Sequence, residues 1–328
     1  MGYNKENFKR IREEYASKTF RAQEEADARR EELYAVIPEL REMDKQLSAF
    51  GLRIMQTALK SGNTDAGIAA LRAENERICK ARTELLRAHG YPANYSEPQY
   101  ECTACRDTGY VGIKMCSCMR RRLTEAGMAS SGLSGLMRTQ SFENFSLDFY
   151  KQKPEEFRIM QRNFETVLQY AKNFTIEEGK PKPQSLLFLG GTGLGKTHLS
   201  TAVARTVIER GYDVYYNSAV GMISDFEFRR FGNSVAQSDA DDTARYTECD
   251  LLIIDDLGTE VVNQFTVSCL YHVLNTRLNL GKPTLISTNL TSSELKKNYN
   301  ERIASRLQGE YLLIPFYGTD VRKQKIQK

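Results

Sequence analysis

No run of about 18 apolar residues occurs anywhere in this 328-residue chain, which excludes an ordinary membrane-spanning helix. The opening residues, Met1 to Asn7, lack the apolar stretch of a secretory signal, and position 6 is Glu rather than the Ser or Thr of a myristoylation motif. A cytoplasmic location with no membrane attachment is the expectation. A large excess of one charge is lacking too: 46 Lys and Arg against 42 Asp and Glu leave +4, too little by itself to point to a nucleic acid. No internal repeat is visible, so a repeat architecture is not expected. No motif for reading base edges occurs, so any nucleic-acid contact should be sequence-tolerant and salt-sensitive. A disulfide framework is also missing. The seven cysteines are an odd number, and Cys102, Cys105, Cys116 and Cys118 crowd together, which suits a metal site in a reducing compartment. Cys79, Cys249 and Cys269 lie in apolar or helical contexts and are expected to be buried as small hydrophobes.

With 41% hydrophobic and 27% charged residues, the chain can build one full core and a smaller appendage. Residues 5–90 mix charges of both signs around apolar positions at helical spacing. Leu33, Val36, Leu40, Met43, Leu47, Phe50 and Ile54 alternate steps of three and four, which puts them on one helical seam bent at Pro38. Ser61 to Thr64 is expected to stop one helix and cap the next, after which Ile68, Leu71, Ile78 and Leu85 continue a weaker stripe. A helical hairpin over 1–90 is the simplest product. Its seam either closes the hairpin on itself or also docks a partner protein. A cysteine-bearing knuckle over 91–126 comes next, then a Gly/Ser-rich linker over 127–150. From 151 to 328 strands alternate with helices, the pattern of a parallel sheet flanked by helices. The expected strands are 185–189, 214–217, 251–254, 284–288 and 311–316. The expected helices are 155–174, 196–210, 219–231, 264–280 and 300–307.

Residues 190–197 satisfy G-x-x-x-x-G-K-[ST] directly between a strand and a helix, the context a phosphate-binding loop requires. Backbone N–H groups of such a loop and the helix N-terminus face an anion, so Gly190, Gly191, Thr192, Gly193, Leu194, Gly195, Lys196, Thr197 and His198 are the expected ATP-binding residues. Lys196 would neutralise phosphate oxygens, and Thr197 would offer a hydroxyl to magnesium. The apolar run Leu251 to Ile254 ends in Asp255 and Asp256, at the end of a strand that faces the phosphates in such a sheet. Asp255 is expected to hold magnesium through water, and Asp256 to polarise the attacking water as general base.

These motifs, the polar strand end Ser287 to Asn289 and the helix Glu301 to Leu307 resemble the AAA+ ATPases of the DnaC/DnaI helicase-loader group, related to the IstB transposition helpers. The resemblance covers about residues 140–317. It implies a P-loop AAA+ fold of the α/β class, with Asn289 as the residue that senses the γ-phosphate. It also implies an arginine finger that completes a neighbouring subunit's site: Arg306 is favoured, Arg302 is the alternative, and a third reading makes both structural. Such a finger implies ATP-dependent self-association. The usual C-terminal helical lid is absent or vestigial, which leaves Arg322 either as a second sensor or as part of a basic tail.

Two motifs remain. Cys102-x2-Cys105-x10-Cys116-x-Cys118 offers four thiolates suited to tetrahedral zinc, with an iron–sulfur cluster or redox thiols as alternatives. The sequence around Cys102 and Cys105 also resembles the zinc-binding N-terminal region of DnaI-type loaders. Basic residues concentrate here: Arg106, Lys114, Arg120, Arg121, Arg122 and Arg138 against Asp107 and Glu125. In the resembling group a helix after the second core strand touches single-stranded DNA, which makes Phe226, Phe228, Arg229 and Arg230 candidates for that contact; the alternative is that they pack and solvate. The combined expectation is a loader that holds a replicative DNA helicase through residues 1–138, using ATP, Mg2+ and Zn2+. The alternatives are an IstB-like transposition helper and a nucleotide-gated interaction protein with little hydrolysis.

Overall fold

The computed structural model describes residues 3–58, 64–133, 135–136, 139–177, 179–231 and 243–326; Ser61 to Asn63, Arg138 and Gly232 lie outside them. The chain divides into two compact units. One comprises Met1–Ile11 with Met119–Lys328, the other Arg12–Cys118. Helices α1 (Lys5–Val36) and α4 (Ser117–Ser130) contain the two positions where the chain passes from one unit to the other. No helix among the described residues is long and apolar enough to cross a membrane.

The smaller unit contains most of α1, α2 (Glu39–Ala58), α3 (Thr64–Ala88) and a short hairpin of β1 (Tyr110–Val111) and β2 (Lys114–Met115). Pro38 cannot donate to the helical ladder, and α1 ends two residues before it. The break shifts the seam by one residue: Ile37 is buried with Leu33, Leu40 and Leu86, whereas Val36 is 53% exposed. The expected hairpin is therefore three helices, with α2 packed on α3. Arg82 makes a two-pronged contact with Asp44 at 2.6 and 3.3 Å, and the Tyr34 hydroxyl donates to the same carboxylate at 3.0 Å. Cys79 lies on an exposed face of α3, contrary to expectation; Cys249 and Cys269 are buried.

The larger unit is built on a five-stranded parallel sheet of order β4-β5-β6-β3-β7, formed by β3 (Ser185–Leu189), β4 (Val214–Ser218), β5 (Leu251–Leu257), β6 (Thr284–Thr288) and β7 (Tyr311–Pro315). Successive strand residues face opposite sides, so a sheet covered on both faces needs near-continuous apolar runs. Leu186, Phe188, Leu251, Ile253 and Leu285 enter one layer with α5 (Pro154–Asn173) and α6 (Lys196–Glu209). Leu187, Leu252, Ile254 and Ile286 enter the other. That second layer holds α7 (Ala219–Phe231), the short α8 (Arg245–Glu248), α9 (Gln264–Leu280) and α10 (Ser292–Gly309). Each fully buried Leu or Ile contributes about 1.5–3 kcal/mol, so these two layers dominate the stability of the unit. A final helix, α11 (Val321–Ile326), follows β7.

The segment 127–150 is not a bare spacer. Residues 127–130 finish α4, and Leu133, Phe142 and Tyr150 are buried in the α5–α6 layer. Its Gly and Ser content concealed apolar residues that use the chain's freedom to follow the core surface.

Candidate nucleotide site and cysteine cluster

The loop after β3 turns on glycines in backbone conformations that side chains disfavour, with φ of 153° at Gly190, 77° at Gly193 and 86° at Gly195. Space enforces the same choice. A Cβ at Gly190 would sit 2.5 Å from the Phe316 carbonyl oxygen, and one at Gly195 would sit 2.8 Å from the Phe145 ring. Gly195 is also the N-cap of α6 and supplies no side-chain acceptor, so the first N–H groups of a 14-residue helix stay open to an anion.

Lys196 is only 5% exposed, and its ammonium donates to the carbonyls of Gly190 and Gly191 at 2.7 Å each and to Asn289 Oδ1 at 2.5 Å. Burial lowers its pKa, while Asp256 and Asp255 pull it back upward. Asp255 is 3% exposed and fully engaged. Its Oδ2 accepts from Thr197 Oγ1 at 2.9 Å and from the Tyr216 hydroxyl at 2.7 Å, and its Oδ1 accepts from Ser287 Oγ. Ser287 Oγ in turn accepts from the Asp256 N–H at 2.9 Å. Asp256 sits where β5 loses regular register with β6, at φ 54°. Burial raises its carboxyl pKa and Asp255 adds to the effect, against the pull of Lys196 and Arg322. Thr197 and Asp255 thus present a pair of hard oxygen donors beside an anion-binding loop, a set that fits magnesium.

Several site residues escaped the sequence reading. Tyr216 carries no motif; it becomes visible only through register, because Ser218 pairs with Asp255 and Tyr216, two residues back, lies on the same face. Burial, then Asp255, keep its phenol well above its ordinary pKa, so it remains a donor. Tyr150 donates to the Leu194 carbonyl at 2.8 Å, and Phe145 stacks between Tyr150 and Phe164. His198 faces this strap rather than the phosphate loop, with its Nε2 2.8 Å from the Ser141 carbonyl oxygen. Val321 donates to Gly193 O at 3.0 Å, which brings α11 onto the loop, and the charge of Arg322 is felt at both Lys196 and Asp256.

The two finger candidates differ. Arg306 stacks over Tyr271 at 4.8 Å and donates to Asn275 Oδ1 at 2.7 Å. Arg302 is exposed, with no hydrogen bond or ion pair among the described residues. The α7 candidates divide as well. Phe226 packs on Tyr246, Arg230 lies 5.2 Å over Phe265, Arg229 donates to Thr243, and Phe228 is 68% exposed.

In the smaller unit the four thiol sulfurs of Cys102, Cys105, Cys116 and Cys118 all lie within 4.8 Å of one another. The spacings of 3.8 Å for Cys102–Cys116 and 3.5 Å for Cys105–Cys118 match the edges of a tetrahedron with metal–sulfur bonds of about 2.3 Å. Asp107 stiffens the first turn, accepting from the N–H groups of Glu101 and Cys102 at 2.8 Å each. The backbone N–H of Cys118 lowers the Cys116 thiol to about 7, close to ionisation at neutral pH. Burial, and then the neighbouring Cys118 thiol, raise the phenol of Tyr15 on α1 above its ordinary pKa.

The family model for IstB-like ATP binding proteins matches residues 168–307. That stretch runs from within α5 to within α10 and contains the phosphate loop and both aspartates. These residues form an IstB-like ATP-binding domain. Among relatives, the YqaM protein of Bacillus subtilis (strain 168) is 31% identical over 201 residues, 59% of each chain. The phage-like element PBSX protein XkdC of the same strain is 29% identical over 241 residues, covering 68% of this chain and 85% of that one. The replicative helicase loader DnaC of Escherichia coli (strain K12) is 26% identical over 180 residues, covering 54% of this chain and 66% of DnaC. The chain thus spans about three fifths of YqaM and just under two thirds of DnaC, and the IstB-like domain is what it shares most firmly with known proteins.

Proposed function

We propose that the chain is an ATP-dependent loader of a replicative DNA helicase. The observation that carries the reading is the convergence of Lys196, Thr197, Asp255, Asp256 and Asn289 on an open helix N-terminus, in a chain related to a helicase loader. The loop N–H groups and Lys196 bind the phosphates, and Lys196 exchanges its carbonyl partners for phosphate oxygens. Thr197 and Asp255 would hold magnesium, which offsets charge on the phosphates when bound. Asp256 accepts the proton of the attacking water, and its raised pKa suits that task. Asn289 orients the water or the γ-phosphate.

Arg302, rather than Arg306, is the residue offered to a neighbouring subunit, because Arg306 is already held by Tyr271 and Asn275. Arg322, carried by α11 beside the loop, is a second charge sensor. The cysteine cluster would hold zinc and supplies the folding energy of its small unit, which with the helices around it takes the helicase. Single-stranded DNA contact through α7 reduces to Phe228, since its neighbours are engaged within the fold. ATP binding favours the assembled, helicase-holding state, and hydrolysis releases it. An IstB-like transposition helper is the second reading, favoured by the family model for this ATPase domain.

The test is co-elution of the full chain with the replicative helicase of the same source, with and without ATP. Nucleotide-sensitive co-elution that disappears in Lys196→Ala is expected. Lack of co-elution in every nucleotide state would reject helicase loading, and ATP-dependent coating of DNA in its absence would favour the transposition reading.

A further inference from the structure

Of the three hydroxyls around Asp255, those of Thr197 and Ser287 belong to helix-start and strand-end positions that a phosphate-binding sheet brings together in any case. The third comes from Tyr216 on β4, one of the two edge strands of the sheet. A carboxylate this deeply buried can turn about its terminal torsion unless donors fix both oxygens. Thr197 and Tyr216 together fix Oδ2, at 2.9 and 2.7 Å.

Tyr216 is itself held from outside the sheet. Its N–H donates to the Ser131 carbonyl at 2.9 Å, so the residues after α4 extend the hydrogen bonding of the edge strand. The backbone at Gly132 passes so close that a Cβ there would lie 2.7 Å from the Tyr216 carbonyl oxygen. Ser131 Oγ donates back to Met128 O at 2.8 Å, and Leu133 is buried, which anchors this short segment at both ends. An edge-strand tyrosine present only for packing would need neither the grip on its backbone nor a hydroxyl aimed at the one carboxylate beside Thr197.

We propose that Tyr216 is a positioning residue for the magnesium carboxylate: its hydroxyl fixes Asp255 Oδ2 beside Thr197, and the Ser131–Gly132 segment sets the reach of the phenol. The proposal rests on the reading of this site as one for magnesium and ATP. It adds a residue outside the phosphate loop and the Asp-Asp strand end, and it makes metal affinity sensitive to the seating of the segment that follows α4.

The experiment is binding of a fluorescent ATP analogue by the full chain as magnesium is titrated, repeated in EDTA, with melting temperature recorded for each variant. For Tyr216→Phe the half-saturating magnesium concentration is expected to rise roughly 10-fold or more, the usual effect of removing an outer partner of a metal ligand. Metal-free affinity should stay within about twofold of wild type, as loop N–H groups and Lys196 supply it. Gly132→Ala, which keeps the hydroxyl but displaces the backbone that carries it, is expected to raise the magnesium requirement in the same direction, and it decides the matter if Tyr216→Phe fails to fold. An unchanged magnesium requirement in folded Tyr216→Phe overturns the proposal. So does a parallel loss of metal-dependent and metal-free binding, which would mark a packing role. Wild-type protein that binds no nucleotide, or binds it without regard to magnesium, overturns the reading of the site itself, a different result from either.

Discussion

Asp256 combines two costs in one residue. It holds a left-handed backbone conformation without being glycine, and its carboxylate is half-buried next to a second carboxylate. A carboxyl whose folded pKa lies above its unfolded value contributes stability below the unfolded pKa and loses it as pH rises through the folded one. At neutral pH the ionised Asp256 therefore works against the fold. Asp256→Asn removes the charge and keeps a side chain that tolerates this backbone. It is expected to melt higher than wild type at pH 7, with the gain shrinking toward pH 4, while single-turnover hydrolysis falls by about 10²–10³. Equal hydrolysis rates in the two proteins would remove Asp256 as the base. The Asp-Asp pair was legible because it closes an apolar strand. Tyr216 and Ser287 were not, because their relation to Asp255 is a fact of strand register, which no local pattern encodes.

At the scale of elements, α10 shows what periodicity misses. Thr291 and Glu294 form a reciprocal cap at its start, yet Asn300, at φ 75°, breaks the helix and caps a second segment through its side chain to the Ile303 N–H at 3.1 Å. Sequence periodicity reveals only the second segment, starting at Asn300. Spacing also cannot separate Arg306, the favoured finger, from Arg302, because two arginines four apart share a face and the sequence does not show which one already has partners. Arg302→Ala is expected to leave ATP binding within about twofold and to lower hydrolysis by assembled protein about 10³-fold, as loss of an arginine finger does. Arg306→Ala should instead lower stability by about 1 kcal/mol, the scale of one cation–π contact, with hydrolysis per folded molecule retained. The measurement is nucleotide-dependent sedimentation and phosphate release on both variants; the reverse pattern would restore Arg306. The strands of the sheet were read correctly to within a few residues because apolar runs between turn signals leave little choice. The three-helix form of 5–88 was only partly legible, since the Pro38 break displaced Val36 by one position.

At the scale of the molecule, the cysteines separate into chemically distinct groups. Cys79 is exposed, Cys249 and Cys269 lie in the core, and four face one another. Metal analysis of the chain purified without added zinc is expected to give about one zinc per chain. A thiol reagent should titrate Cys79 alone at first, with four further thiols appearing only after chelation. Four fast-reacting cluster thiols without any chelator would refute the metal site. ATP-analogue binding should survive chelation, because the phosphate loop belongs to the other unit. The limits of the units were the least legible feature. Tyr3 packs against Gly211, Asn4 donates to Asp213 at 3.5 Å, and Asn7 donates to Ser130 Oγ at 2.8 Å, contacts between residues far apart along the chain. No composition or periodicity reports such a pairing.

That return of residues 3–7 to the larger unit sets an order of events during synthesis. Asn7 cannot reach Ser130, nor Tyr3 and Asn4 reach Gly211 and Asp213, until those later residues have been made. The helices and cysteines of the smaller unit, complete at Cys118, are all available before then. Residues 3–7 are thus made early and seated late, after every part of the smaller unit is already available.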